Sequence, residues 1–262
     1  MLSKNVGKMR RMFFCVMWIV LFVCCTNGCG PKSGSDVISE CDTVYVHDTV
    51  CTMPNGEFFF NLPCKVVNIH QEKDGKSLLF IWLHGGVHIQ EMHDMFEANP
   101  SHLSSYAVDS VLNYLQEEGL KSIALFPICH KAKLNHCIAW RDCYYDVMKM
   151  IEDHVEKGLV DPNRIFLAGS SDGGTGTWDF LQKNERTFAA AMPMSCANPR
   201  STTIPVYFFN TQAEPDCSTQ VDLLNQQGSN IEYKHSSAKW HGRDDIEVIR
   251  EFLDRFFNNS KK

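Results

Sequence analysis

The segment RIFLAGSSDGGTGTW (164–178) sets a serine pair between an apolar run and a glycine pair. Gly169-Ser170-Ser171-Asp172-Gly173 fits G-x-S-x-G in one register only, since centring on Ser170 would need glycines at Ala168 and Asp172. The pattern suits a nucleophile on a sharp strand-to-helix turn, where small residues on both sides let the backbone turn and the elements pack. A serine hydroxyl is a poor nucleophile near neutral pH and needs a base, an acid that orients the base, and N–H donors for the oxyanion. On such a turn the acid follows the serine and the histidine comes last. Only His235 and His241 follow Ser171. His235 falls within a strand pattern, whereas His241 lies in the loop KWHGRDD (239–245) and is the preferred base. The loop TQAEPDCST (211–219) offers Glu214 and Asp216 as the acid. Asp216, two residues before Ser218, suits a helix cap, which leaves Glu214 as the favoured orienter and Asp216 as the alternative. The oxyanion donors are expected from the backbone N–H of Asp172 and from the glycine-rich LHGG (83–86), through Gly86 or Val87. His84 and His88 are read as shaping that loop, because the base comes after the serine.

These groups must be held by elements, and the chain alternates them. EFFFNL (57–62) and KVVNIH (65–70) read as consecutive strands with Pro63 between them. SLLFIWLHGG (77–86) and SIALFPIC (122–129) are apolar runs of the kind buried on both faces of a sheet. Helical spacing runs through 101–119, ending at Gly119, and through 142–158. DPNRIFLAGSS (161–171) supplies a turn and a strand, followed by a helix over about 173–184. Strands at 189–195, 204–210 and 231–237 and helices near 218–227 and 244–257 complete the order. Alternation of this kind predicts an α/β fold with a mostly parallel, right-handed wound sheet and helices on both faces. Ligands of such sheets sit beyond the carboxyl ends of the strands, where every candidate residue falls.

LHGG (83–86), DPNRIFLAGSSDGG (161–174), IPVYFFN (204–210) followed by Glu214, and WHG (240–242) together resemble the α/β-hydrolase superfamily over roughly residues 55–258. The nearest likeness is to its esterase and depolymerase group, which includes feruloyl-esterase-like, polyhydroxybutyrate-depolymerase-like and phospholipase/carboxylesterase-like proteins. The resemblance implies Ser171 as nucleophile, His241 as base and Glu214 as the acid, with Glu where Asp is usual and Asn210-Thr211 where the group carries His-Gly. It also implies a substrate-binding role for Trp140, beside the plain alternative of packing. A serine esterase acting on small-molecule or polysaccharide esters is therefore expected, with acetyl or feruloyl groups on carbohydrate favoured and no cofactor. A serine peptidase on the same triad is the alternative, and a non-catalytic glycan-binding lipoprotein is a second. No large insertion separates strands 189–195 and 204–210, where many lipases carry a lid, so an open cleft is expected.

The first 29 residues differ in kind. Four basic residues in MLSKNVGKMRRM precede the uncharged FFCVMWIVLFVCC (13–25), a length that suits an export signal better than a membrane span. The signal ends TNGCG and resembles a bacterial lipoprotein type with Cys29 lipidated, Cys24 and Cys25 being rival positions. This predicts a signal over 1–29, a linker over 30–52 and a catalytic domain over 53–262, in the cell envelope and tied to a membrane by lipid. Eight cysteines remain after the signal, an even number that permits disulfides outside the cytoplasm. CHKAKLNHC (129–137) suggests one between Cys129 and Cys137; with His130 and His136 its spacing fits no familiar zinc pattern, so no metal is expected. The net charge of −6, with no basic run beyond the N-terminus, argues against nucleic acid as a partner.

Overall fold

A computed structural model describes residues 43–53, 56–86, 106–129, 140–237 and 246–259. Its centre is an eight-stranded sheet: β1 Thr43–Met53, β2 Gly56–Ile69, β3 Ser77–Leu83, β4 Ser122–Pro127, β5 Val160–Ser170, β6 Ala190–Met194, β7 Val206–Asn210 and β8 Ile231–His235. The strands lie in the order β1-β2-β4-β3-β5-β6-β7-β8. β1 and β2 pair antiparallel, as do β2 and β4, and every later pairing is parallel. Among the described residues the α-helices are α1 Tyr106–Glu117, α2 Tyr144–Glu156, α3 Asp172–Asn184, α4 Ser218–Gln226 and, after β8, α5 Ile246–Asn258.

The continuous apolar runs of β3, β4 and β5 arise because both faces of the sheet are covered, so both sets of alternating side chains need partners. Leu79, Ile81, Leu83, Ile165 and Leu167 face Val147 and Ile151 of α2 and Trp178 and Leu181 of α3. Leu78, Phe80, Trp82, Phe166 and Ala168 face Val111 and Leu115 of α1 and Phe252, Phe256 and Phe257 of α5. On this second face Phe166 meets Phe256 and Phe257 with ring centroids 5.2 and 5.1 Å apart, and Phe80 meets Phe257 edge-on at 6.0 Å. Such contacts add to area burial and fix α5 against the central strands.

Two features depart from the sequence reading. The pair of strands expected around Pro63 is one 14-residue strand, β2. Pairing with β4 begins at Cys64, so Pro63 stands where β1 is the sole neighbour, the edge-like setting in which a strand tolerates proline. The far end of the predicted 30–52 linker is the strand β1, in register with β2 from Thr43↔Val66 to Met53↔Gly56. Its sequence, TVYVHDTVCTM, is rich in β-branched residues that favour a pleated ribbon. Residues 1–42, with the predicted signal and Cys29, lie outside the described residues. Among the described residues no helix is long and apolar enough to cross a membrane.

Candidate active site

β5 runs straight into α3, and Ser171 is the single residue between them. Its backbone adopts φ 58° and ψ −118°, outside the usual wells for an L-residue. Such a conformation costs on the order of 1–3 kcal/mol and persists only where neighbours over-determine it. Here the Ser171 N–H donates to the Met194 carbonyl at 2.9 Å, extending the β5–β6 ladder, and the Ser171 carbonyl accepts from the Thr175 N–H at 3.0 Å, starting α3. The flanking glycines are required by contact. A Cβ on Gly169 would lie 2.8 Å from the Leu83 carbonyl oxygen and against the Gly173 carbonyl, and one on Gly173 would strike the Leu83 carbonyl. Strand β3 therefore presses its end onto the turn.

The segment after β3 lies over Ser171. A Cβ on Gly85 would stand 3.2 Å from Ser171 Cβ and 3.9 Å from its Oγ. Gly86 follows at the surface, and Asp172 opens α3, whose N-terminal N–H groups carry the positive end of the helix dipole. Both expected oxyanion donors thus belong to elements that meet at the serine.

His84 fixes this segment. It is 5% exposed, and its Nε2 accepts the Cys129 N–H at 3.1 Å. The proton therefore sits on Nδ1, which donates to the Gly85 carbonyl at 2.7 Å. Burial pushes the imidazole down from 6.5 to about 4, so it stays neutral at ordinary pH and adds no charge beside the serine. The His84 carbonyl accepts the Trp140 indole N–H at 2.9 Å. Trp140 is 1% exposed, stands edge-on to the His84 ring and faces Gly176 of α3. Of the two readings of Trp140, packing and substrate contact, the burial fits packing: the indole N–H holds the backbone of the LHGG segment.

The two acids separate by geometry. Asp216 is exposed and its Oδ1 accepts the Ser218 N–H at 2.9 Å, at the start of α4. That backbone bond, first among its causes, holds the carboxyl below the usual carboxylate range. Glu214 is buried, and its Oε2 accepts both the N–H and the hydroxyl of Thr211, each at 2.8 Å. Thr211 also offers its carbonyl to His235 Nε2 at 2.7 Å, which commits that histidine to the backbone of the acid loop. His241 and Trp240 lie outside the described residues, as do Val87, His88, His130, His136 and Cys137.

Asn210 has a role the sequence did not disclose. Its buried side chain accepts the Cys196 N–H at 3.0 Å and donates to the carbonyls of Cys196 and Pro215 at 2.8 and 3.2 Å. It thereby ties the loop after β6 to the acid loop. The substitution of Asn-Thr for His-Gly was the available signal, but its partners lie in another loop. A polar groove lined by Gln182, Glu185, Thr203 and Gly228 lies at the opposite, N-terminal edge of β7 and β8. Among the described residues no group of three His, Cys, Asp or Glu side chains is placed to hold a metal.

Solved structures of other proteins share this architecture. A thermostable esterase superposes with a TM-score of 0.62 at 20% identity, over 84% of this chain and 63% of its own. The chain has the α/β-hydrolase fold. The fold recurs in S-formylglutathione hydrolase from Staphylococcus aureus, with a TM-score of 0.55, 15% identity and 85% and 100% coverage. It recurs again in a feruloyl esterase module from Clostridium thermocellum complexed with sinapinate, with a TM-score of 0.54, 13% identity and 82% and 89% coverage. This chain spans less than two thirds of the thermostable esterase's length. The model of the prolyl oligopeptidase family matches residues 140–202, the stretch of the α/β-hydrolase fold that holds Trp140, the serine turn and β6. No curated protein sequence matches the chain.

Proposed function

We propose that this chain is a serine hydrolase of carboxylic esters, with Ser171 as nucleophile, His241 as base and Glu214 as the acid that orients it. The observation that carries the reading is the backbone of Ser171, held at φ 58° between β5 and α3 beneath the LHGG segment. In that setting Ser171 Oγ attacks the ester carbonyl while His241 takes its proton. The N–H groups of Gly86 and Asp172 receive the oxyanion, and the intermediate collapses as His241 returns the proton to the leaving alcohol. Water, activated by the same histidine, then releases the acyl group from Ser171. Burial of Glu214 and its two bonds to Thr211 support it over the capping Asp216 as the orienter.

Acetyl or hydroxycinnamoyl esters on carbohydrate are the proposed substrates. The likeness in fold to a feruloyl esterase module complexed with sinapinate, and to Est1E from Butyrivibrio proteoclasticus bound to ferulic acid, favours this class. The N-terminal sequence supports an extracytoplasmic position with a lipid anchor at Cys29. The match of residues 140–202 to the prolyl oligopeptidase family favours a second reading, amide hydrolysis by the same serine.

A fluorophosphonate probe is expected to label the wild-type chain and leave Ser171→Ala unlabelled. Equal labelling of both would end the assignment. Side-by-side rates on p-nitrophenyl acetate, feruloyl esters and aminoacyl-nitroanilides separate esterase from peptidase, and faster anilide cleavage would establish the second reading.

A further inference from the structure

Cys129 follows β4 and Cys143 immediately precedes α2. Fourteen positions apart in sequence, their Sγ atoms lie 2.8 Å from each other, and both residues are 0% exposed. Two sulfurs this close are nearer than ordinary non-bonded contact, and a modest shift brings them to a bond of about 2.05 Å. Both cysteines are also built into the support of the LHGG segment. The Cys129 N–H donates to His84 Nε2 at 3.1 Å. The Cys143 N–H donates to the Trp140 carbonyl at 2.9 Å, and the Trp140 indole donates to the His84 carbonyl at 2.9 Å.

We propose that Cys129 and Cys143 are a cross-linking pair, joined by a disulfide when the chain folds in the presence of a disulfide-bearing oxidant. This replaces the pairing of Cys129 with Cys137 that spacing alone suggests. The thiolate of one cysteine attacks a sulfur of the oxidant and forms a mixed disulfide, releasing one half of the oxidant as a thiol. The second cysteine's thiolate then attacks the protein sulfur of that mixed disulfide and releases the other half as a thiol. The two cysteines give up two electrons and two protons, and the oxidant takes up both. Because both sulfurs end up buried, exchange belongs to folding, before α2 closes over the sheet. The bond shuts the loop from 129 to 143 and ties together the two anchors of His84, one reaching it from the end of β4 and the other through Trp140. Its effect on turnover rests on the serine-hydrolase reading, whereas the bond itself rests on the sulfur geometry.

Trypsin separates the three candidate cysteines, because Lys131, Lys133 and Arg141 divide Cys129, Cys137 and Cys143 into different peptides. The full chain is refolded with oxidised and reduced glutathione, blocked with N-ethylmaleimide in denaturant, digested without reduction and read by mass spectrometry. The expected product is the Cys129 peptide linked to the Cys143 peptide, resolved into its halves by reduction. Maleimide on Cys129 or Cys143 after oxidation, or a link from Cys129 to Cys137, overturns the proposal. Thermal unfolding supplies a second readout. The oxidised protein is expected to melt about 6–12 °C above the same protein reduced, and the double variant Cys129→Ala/Cys143→Ala to lose that redox-dependent difference. An unchanged difference in the variant also overturns the proposal. Failure of fluorophosphonate labelling would remove the esterase reading and leave the peptide map untouched.

Discussion

Protonation of His84 should weaken the fold in acid, by an amount the structure sets. The imidazole titrates near 6.5 when exposed and at about 4 in the folded chain. The folded state thus binds this proton less readily than the unfolded chain. Its contribution to stability is complete above pH 6.5, declines as pH falls below that value and is exhausted below pH 4. Linkage between these two values gives a loss of about 2 kcal/mol from pH 7 to pH 4.5. The cause is structural, since the protonated ring cannot accept the buried Cys129 N–H and would place a charge in a site 5% exposed. The perturbation is His84→Gln, whose side-chain oxygen can accept the same N–H and has no proton to gain in this range. At pH 7 the variant should lose about 1–3 kcal/mol through the altered bond to Gly85. Urea unfolding followed by tryptophan fluorescence at pH 7 and pH 4.5 gives the four stabilities needed. Acids such as Asp216 and Glu185, whose carboxyls are lowered, also lose stability in acid, but equally in both proteins. The wild type should lose about 2 kcal/mol more than His84→Gln over this interval. Acid losses that agree within about 0.5 kcal/mol would refute the argument.

Two further predictions follow from contacts at the turn and in the acid loop. Gly173→Ala should cost about 3 kcal/mol, because the new methyl would strike the Leu83 carbonyl and lie 2.8 Å from that of His84; thermal unfolding and ester hydrolysis should fall together. Glu214→Gln should lower kcat on p-nitrophenyl acetate by roughly a hundred- to ten-thousand-fold, whereas Asp216→Ala should cost about 1 kcal/mol of stability and keep turnover near wild type; the reverse ranking would move the orienting role to Asp216.

The central strands were legible because their burial on both faces leaves a short unbroken apolar run, bounded by polar residues and glycines. The register of the serine motif was legible for a related reason, since carbonyl groups of β3 and α3 leave no room for side chains at Gly169 and Gly173. β1 was hidden because Thr, His and Asp interrupt its apolar residues, so an edge strand reads like a polar tether. Trp140 was ambiguous for a different reason: its type fits a cleft or a core equally, and only direction decides. Glu214 and Asp216 are two residues apart in one loop, so their roles separate through turn geometry, one folding back on Thr211 and the other reaching Ser218. The tautomer of His84 depends on Cys129, 45 positions away, and no local pattern carries that information.

The strand order has a consequence for the chain as it is made. β3 sits between β4 and β5, and Leu79 pairs with Ile165 across a long stretch of sequence. β1 and β2 can zip together at once as a local ribbon, but the central strand waits for both neighbours. Loop closure over such separations is slow, and apolar strands stand uncovered meanwhile. The LHGG segment gains its floor only when β5 has turned through Ser171 into α3. A nascent or truncated chain ending before that turn has the ribbon and the strand but no support for the loop, so the serine turn and the segment over it are completed together.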